Sequence, residues 1–532
     1  MNGLRRAVTA SILLAGLALS GCTSPAPVQP SRSGTLGSTG TSSSSSADAA
    51  STASAAPLQP LPAAIPAALQ RYYTQQLSWG SCDSGYECAT MKVPTDYAHL
   101  ADGDISLSVV RHPAGGQGFP RLGSLLINPG GPGGSAVDYA EYAALSFPAP
   151  LRDSYDIVGV DPRGVARSSP VTCLSDQQMD AFTAVDSTPT TPAEVNALVS
   201  ADKSFAQGCE QHSGMLLGHV STIDSARDMD VLRALLGDPK LNYLGKSYGT
   251  FLGATYAGLF PSRVGRMVLD GAMDPSLTPQ QLNSEQAGGF ETAFDSFASD
   301  CVKHTACPLG SSTAQTGPRL DALVASLNAH PLPTGGSRQL DGALGTTGVI
   351  AALYDQTQWP QLRQALLQAE AGDGSGLLAL SDQYYERSGS GHYSNLMYAN
   401  SAVNCLDLPP AATTPQQVEQ QLPAFEKASP RFGASLAWAG LSCAYWPVPA
   451  TGEPNTIKAA GAAPIVVVGT TRDPATPYAW AQSLAAQLES GTLLTYNGDG
   501  HTAYARGSDC IDTAVNLYLI QGKPPAKGTV CQ

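Results

Sequence analysis

The chain is poor in charge. Only 14% of its 532 residues are Asp, Glu, Lys or Arg, against roughly 25% in an average soluble domain. Basic residues are the scarcer sign: 29 Lys and Arg stand against 43 Asp and Glu, a net charge of −14. Nucleic-acid binding needs clustered cations to neutralise phosphates, so that class of partner is excluded. Long hydrophobic runs are missing too, and no stretch reaches the ~18 apolar residues of a membrane-spanning helix. Histidine is rare, at eight residues, and there is no Cys-x-x-Cys pair or His-rich cluster. That argues against a metal centre. No internal repeat stands out. Hydrophobic residues still make up 42% of the chain, ample for a large core. At roughly 150 residues per domain, length alone predicts two to four domains.

The chain has eleven cysteines, an odd number, and Cys22 accounts for the odd one. Arg5 and Arg6 form a short positive region, Ala7 to Leu19 is apolar but short, and Leu19-Ser20-Gly21-Cys22 ends the segment. Residues 1–21 read as an export signal. The Leu-Ser-Gly-Cys ending resembles the bacterial lipoprotein box, which makes Cys22 the expected lipidation site. Ordinary signal cleavage, leaving Cys22 as a free thiol, is the alternative. Ten cysteines then remain in an exported chain, and an even count in an oxidising compartment predicts five disulfides. Sequential pairing is expected because each neighbouring pair closes a short loop: Cys82 with Cys88, Cys173 with Cys209, Cys301 with Cys307, Cys405 with Cys443, and Cys510 with Cys531. Residues 22–66 are mostly Ser, Thr, Ala, Pro and Gly. Such a stretch buries too little apolar surface to offset its ordering entropy and is expected to be a disordered tether.

Beyond residue 66, short runs rich in Val, Ile and Leu recur: Ile105–Val110, Ser124–Asn128, Tyr155–Val160, Leu241–Leu244, Arg266–Asp270 and Ala463–Val468. Helical stretches such as Ser225–Leu236 and Phe251–Leu259 separate them. Doubly buried strands alternating with helices predict a mostly parallel sheet in an α/β fold. Residues 275–460 have few strand signals and several helical ones, including Glu285–Val302, Arg319–Leu327, Trp359–Leu380 and Gln416–Lys427. A connection of that length cannot be a plain loop, so it reads as a mainly helical cap. The expected organisation is a core in two parts, 67–274 and 461–532, split by this cap.

The chemistry centres on Gly245-Lys-Ser247-Tyr-Gly249, which follows a strand and opens a helix. The motif needs a turn so tight that the serine is strained, with small residues either side so that strand and helix approach closely. Ser247 is therefore the candidate nucleophile. A serine nucleophile needs a base and an orienting acid, in this architecture in the order Ser, Asp or Glu, His. His501 is the one histidine beyond the last candidate strand. Asp473 stands at that strand's end and is the expected acid. Asp270 and Asp274 follow an earlier strand and are the alternatives, with a structural role at the cap entrance more expected for both. Asp499 lies too close to His501 in sequence to orient its ring easily. Asn128-Pro-Gly-Gly-Pro-Gly-Gly-Ser135 offers backbone N–H groups for an oxyanion. Pro132 cannot donate, so Gly131 is first choice, Gly130 the reserve, and the Tyr248 N–H the second donor. No Lys-Ser or Lys-Thr pair follows this loop, so it is not a phosphate cradle.

Together these residues look like an α/β-hydrolase. Asn128-Pro-Gly-Gly-Pro-Gly, Val160-Asp-Pro-Arg-Gly164, Gly245-Lys-Ser-Tyr-Gly249, Val268-Leu-Asp-Gly271, Asp473-Pro-Ala-Thr-Pro477 and Gly500-His501 resemble the secreted tripeptidyl aminopeptidases. These belong to the prolyl-aminopeptidase-like serine peptidases with a TAP-like C-terminal segment. Leu77-Ser-Trp-Gly and Glu87–Tyr97 resemble the start of that family. The resemblance spans about residues 70–532. It implies the triad Ser247, Asp473 and His501, and an exopeptidase that removes short peptides, tripeptides first among them, from free N-termini. Some members are described as carboxylesterases, so an esterase acting on acyl or lipid esters is the alternative. A substrate α-ammonium would need a carboxylate near the cap. Asp407 is a candidate because Cys405 would staple it in place; Glu285 and Glu291 are others. Arg163 and Arg167 read as structural ion-pair partners. No cofactor or metal is needed. The expected partners are peptides with a free N-terminus and a membrane held through the lipid anchor. The expected location is the cell envelope, or the medium after release.

Overall fold

Ten strands share one sheet in the computed structural model, which describes residues 55–83, 85–116 and 118–532. The expected export signal, Cys22 and the expected tether up to residue 54 lie outside the described residues. In chain order the strands are β1 (Gly80–Asp83), β2 (Tyr86–Pro94), β3 (Asp104–His112), β4 (Gly123–Asn128), β5 (Tyr155–Val160), β6 (Leu241–Lys246), β7 (Val264–Asp270), β8 (Ile465–Arg472), β9 (Gly491–Asp499) and β10 (Val530–Cys531). Across the sheet they run β1-β2-β3-β5-β4-β6-β7-β8-β9-β10. Strands β1, β2, β3 and β5 pair antiparallel, and every pairing from β5 to β10 is parallel.

The central strands are apolar because both faces are covered. All six residues of β4 and of β5 are buried. Side chains alternate between faces along a strand. Thus Leu126 packs in one core, while Leu125 and Ile127 pack in the other. Likewise Ile465 and Val467 face one core, and Val466 and Val468 face its opposite. Helices Thr222–Leu235 and Tyr248–Leu259 contribute to the first core. Helices Ala136–Ser146 and Asp509–Gln521 contribute to the second.

Strand order reverses at β4. The chain enters the parallel sheet at β4, steps back to β5, then crosses to β6 on the other side. Such a switch point leaves a crevice at the strands' C-terminal ends, where ligands of open α/β sheets bind. Asn128 of β4 lies in register with Gly245 of β6. The Gly-rich loop after β4 and the serine turn after β6 therefore leave the sheet side by side.

Between β7 and β8 the chain forms a helical cap with its own core, in which Phe290, Phe294, Phe297, Trp359 and Leu362 are buried together. Its first long helix, Pro279–Cys301, starts in a capping box: Thr278 Oγ1 accepts the Gln281 N–H while Gln281 reaches back to Thr278. The stretch expected as one helix, Trp359–Leu380, is two, Trp359–Glu370 and Ser375–Tyr384. Gly372 breaks it, with φ 88° in the left-handed region that glycine tolerates.

The tether boundary also needs correction. Residues 55–66, expected to be disordered, dock on the core. Ala56–Pro57 pair in parallel with Asn455–Thr456. Leu58 donates its N–H to the Thr456 carbonyl and Leu61 to the Leu259 carbonyl, both at 2.9 Å. Leu58 and Leu61 pack against the core. Two leucines supply the burial that the average composition of this segment conceals.

The five disulfides join cysteines in sequence order: Cys82–Cys88, Cys173–Cys209, Cys301–Cys307, Cys405–Cys443 and Cys510–Cys531. The first closes the β1–β2 hairpin, and the last ties the final helix to β10. Two lie wholly within the cap segment. This density of disulfides fits a chain that folds in an oxidising compartment. Among the described residues no helix is long and apolar enough to cross a membrane.

Candidate active site

Ser247 sits between β6 and helix Tyr248–Leu259 with φ 55° and ψ −126°. A non-glycine residue is rarely held there, and such strain persists only where the surroundings enforce it. Here the serine N–H donates to the Asp270 carbonyl at 2.9 Å, at the end of the neighbouring strand β7. A Cβ on Gly245 would lie 2.3 Å from the Gly249 carbonyl oxygen, and one on Gly249 would lie 2.8 Å from Asn128 Oδ1. Both glycines are thus needed for strand, helix and Gly-rich loop to approach this closely.

The Gly-rich loop lies against the serine turn. Asn128 Oδ1 accepts the Gly130 N–H at 2.9 Å, so Gly130 is spent within the loop and is no reserve oxyanion donor. The N–H of Gly131 donates to no acceptor among the described residues. From the cap, Asn400 Nδ2 donates to the Pro132 carbonyl at 3.0 Å. Helix Leu396–Asp407, which carries Asn400, thereby holds the loop from above.

Asp473 is buried at 2% exposure just past β8. Its carboxylate accepts the N–H groups of Ala475, Thr476 and Thr502 at 2.8–3.1 Å. It also lies 2.8 and 3.0 Å from His501 Nδ1. A carboxylate only accepts, so Nδ1 carries the proton and Nε2 keeps a lone pair, the tautomer a general base needs. Nε2 is buried and has no hydrogen-bond partner among the described residues. It does not bond the serine hydroxyl in this state, and such bonds are often loose without substrate.

Several contacts around His501 have no sequence signal. The Tyr354 carbonyl, from the cap, accepts the His501 N–H at 2.8 Å, and its ring stands edge-on to the imidazole at 5.4 Å. Thr476 Oγ1 lies 3.3 Å from Nδ1; it belongs to the Asp473-Pro-Ala-Thr-Pro477 motif but carries no chemistry readable from type or spacing. On the acid loop, Gln286 of the first cap helix donates to the Ala475 carbonyl at 2.8 Å. The cap therefore bonds to the oxyanion, acid and histidine loops alike.

The remaining acids separate clearly. Asp499 pairs with Arg472 at 2.7 Å. Asp274 accepts from Ser276 and Gln487, a structural role. Asp270 is a correction: it is fully buried beneath residues 503 and 504, not at the cap entrance. Glu285 accepts the Trp480 indole N–H at 2.6 Å, and Glu291 is bonded by Ser429 and paired with the Arg431 cation. Arg163 is buried and forks onto Asp228 at 2.7 and 2.8 Å, and Arg167 pairs with Asp138 at 2.7 Å. Both are structural.

Asp407 differs from these. It ends helix Leu396–Asp407, which the Cys405–Cys443 disulfide fastens. Its carboxylate accepts the Thr222 N–H at 2.8 Å and the Thr222 hydroxyl at 2.5 Å. Thr222 Oγ1 is also 2.5 Å from the Tyr248 hydroxyl, on the residue after Ser247. Enclosure of the carboxyl pushes its pKa up to about 7 against the pull of the Thr222 hydrogen bonds. No Lys or Arg pairs with it among the described residues.

One acidic turn could offer cation ligands. Asp96, His99 and Asp102 bring their ligand atoms within 4.8 Å of one another. The turn's hydrogen bonds already engage His99 with Asp96 at 2.7 Å.

Known proteins place this arrangement in context. A family model described as TAP-like protein matches residues 429–531, the stretch that carries Asp473 and His501. Serine protease Hip1 of Mycobacterium tuberculosis is 39% identical over 478 residues, covering 86% of this chain and 91% of that protein. Carboxylesterase B of the same species is 38% identical over 476 residues, covering 86% and 90%. Tripeptidyl aminopeptidase of Streptomyces lividans is 32% identical over 498 residues, covering 88% of each. The sheet order, the strained serine between strand and helix, and similarity over nearly the whole chain agree: this chain belongs to the tripeptidyl-aminopeptidase-like serine peptidases of the α/β-hydrolase fold, and it is a serine hydrolase.

Proposed function

We propose that the chain is an exported exopeptidase that releases short peptides, tripeptides first among them, from free N-termini. Ser247 Oγ attacks the scissile carbonyl while His501 Nε2 takes its proton. Asp473 holds the imidazole and stabilises the imidazolium. The N–H groups of Gly131 and Tyr248 receive the developing oxyanion. The tetrahedral intermediate expels the amine, which takes the proton back from Nε2, and leaves an acyl-serine. Water, activated by the same nitrogen, then hydrolyses the ester. The Asp473–His501 contact beside an unpartnered Nε2 carries this reading.

Preference for a free N-terminus is assigned to Asp407. Among the described residues it is a carboxylate without a cationic partner, hydrogen-bonded through Thr222 to the residue beside the nucleophile. Acetylating a tripeptide p-nitroanilide should lower kcat/KM by about 100-fold, the scale for removing one partner of an enclosed charge pair. Asp407→Asn should remove most of that discrimination. With a pKa of about 7, Asp407 is protonated below neutrality and loses its hold on the ammonium. The KM for the free peptide should therefore rise as pH falls below 7, while the KM for a p-nitrophenyl ester should not. Equal rates on free and blocked peptides, with ester hydrolysis dominant, would favour the esterase reading that the carboxylesterase relative suggests.

Attachment to the envelope is assigned to a lipid on Cys22, on the strength of the Leu-Ser-Gly-Cys sequence. Cys22→Ser should move the enzyme from the membrane fraction to the medium on fractionation of an expressing bacterium. Unchanged partition would remove the anchor.

A further inference from the structure

Lys246 and Asp270 have no part in the mechanism above, yet they occupy its centre. They end the adjacent parallel strands β6 and β7 and lie directly in register. Lys246 immediately precedes the nucleophile, and the Asp270 carbonyl accepts the nucleophile's N–H at 2.9 Å. Their side chains point to the histidine loop. The Asp270 carboxylate accepts the Ala503 N–H at 2.9 Å and the Tyr504 N–H at 3.0 Å. Lys246 Nζ donates to the Tyr504 carbonyl at 2.6 Å and stands 3.9 Å from Asp270 Oδ2.

With these bonds counted, four successive N–H groups are held. His501 gives its N–H to Tyr354, Thr502 to Asp473, and Ala503 and Tyr504 to Asp270. A buried ion pair costs desolvation that its mutual attraction only partly offsets. Burial raises the Asp270 pKa and lowers that of Lys246, each opposing the other's shift. A pair kept at that cost, bonded to the nucleophile's strand ends on one side and the base's loop on the other, does what an apolar pair could not. It fixes the position of one catalytic loop relative to another through directed hydrogen bonds.

We propose that Lys246 and Asp270 form a positioning pair that fastens the His501 loop to the serine turn and keeps Nε2 aimed at Ser247 Oγ. The proposal rests on the triad reading. Asp270 is buried and the Lys246 ammonium is spent on the Tyr504 carbonyl, so the pair sets the rate of the chemical step and not substrate affinity. Misplacement of a catalytic group by about 1 Å costs on the order of 100-fold.

The test uses the full chain with Lys246→Met, Asp270→Asn and the double variant. A fluorophosphonate burst titrates active sites in each. The kcat per titrated site should fall about 10- to 100-fold in each single variant, with KM within about two-fold. The double variant should fall no further than the worse single, because the two groups act as one unit. Lys246→Arg, which keeps a donor for the Tyr504 carbonyl, should recover most of the rate. It also decides the matter if Asp270→Asn does not fold. Wild-type kcat per site in Lys246→Met would overturn the pair, as would losses confined to KM or to the number of titratable sites. Failure of the unaltered enzyme to label at Ser247 would overturn the triad reading and this proposal together.

Discussion

Replacing Ser247 with alanine should lower kcat by about 10⁵- to 10⁶-fold on a tripeptide p-nitroanilide, the scale seen when a triad serine is lost from a hydrolase. The size follows from the site. The oxyanion donors and the cap residues around the site remain, so binding survives and KM should change little. What disappears is the one atom able to form the acyl intermediate. Stability should hardly move. The strained φ of 55° is imposed by the turn and costs alanine about what it costs serine, and the backbone bond to Asp270 persists. A melting curve alongside the kinetics separates lost chemistry from lost fold. If Ser247→Ala retained more than about one-hundredth of the wild-type kcat, another group would be the nucleophile.

Asp473→Asn should cost about 10⁴-fold in kcat, again with little change in KM. The carboxylate accepts hydrogen bonds from three backbone N–H groups and from Nδ1 of His501. An amide has one acceptor oxygen. The Ala475 and Thr476 N–H groups both point at Oδ1, so they hold the amide oxygen there and leave the NH₂ at the Oδ2 place, 3.0 Å from Nδ1 and facing the Thr502 N–H. An amide beside Nδ1 no longer stabilises the imidazolium, and its NH₂ favours an imidazole that accepts at Nδ1 and carries its proton on Nε2, the wrong tautomer for a base. The rate per active site, counted by fluorophosphonate titration, measures the effect. A loss below about ten-fold would mean that the imidazole is held by its other contacts and that Asp473 is dispensable.

Much of this was legible in the sequence, and the reasons differ by element. The central strands announce themselves because a strand covered on both faces is apolar throughout; Tyr155–Val160 needs no correction at either end. The triad is legible because tight-turn chemistry fixes Gly-x-Ser-x-Gly locally, and chain order then restricts the acid and the base. Strands β1, β2, β9 and β10 match none of the runs read from the sequence; β1 and β10 are only four and two residues long. Strand β2 lies toward the sheet's edge and mixes buried with exposed residues, while β9 is largely half-exposed and polar toward its end. The docking of residues 55–66 was missed because two leucines carry it within a segment of tether-like composition. Tyr354 and Asn400 were invisible for a further reason. Each reaches its partner from the cap, across more than a hundred residues of chain, and Tyr354 does so partly through a backbone carbonyl whose role no side chain reveals. Asp270 was read at the right strand end but given the wrong surroundings, since its partners arrive from residues 503 and 504, more than two hundred positions later.

The measurement that tests the central reading most directly is the mapping of a covalent adduct. The full-length enzyme is treated with a fluorophosphonate, digested, and the modified peptide sequenced by mass spectrometry. One adduct per chain is expected, on Ser247, in the peptide containing Gly245-Lys-Ser-Tyr-Gly249, with loss of hydrolysis in proportion to labelling. An active enzyme that takes up no label, or whose adduct lies on any other residue, would contradict it.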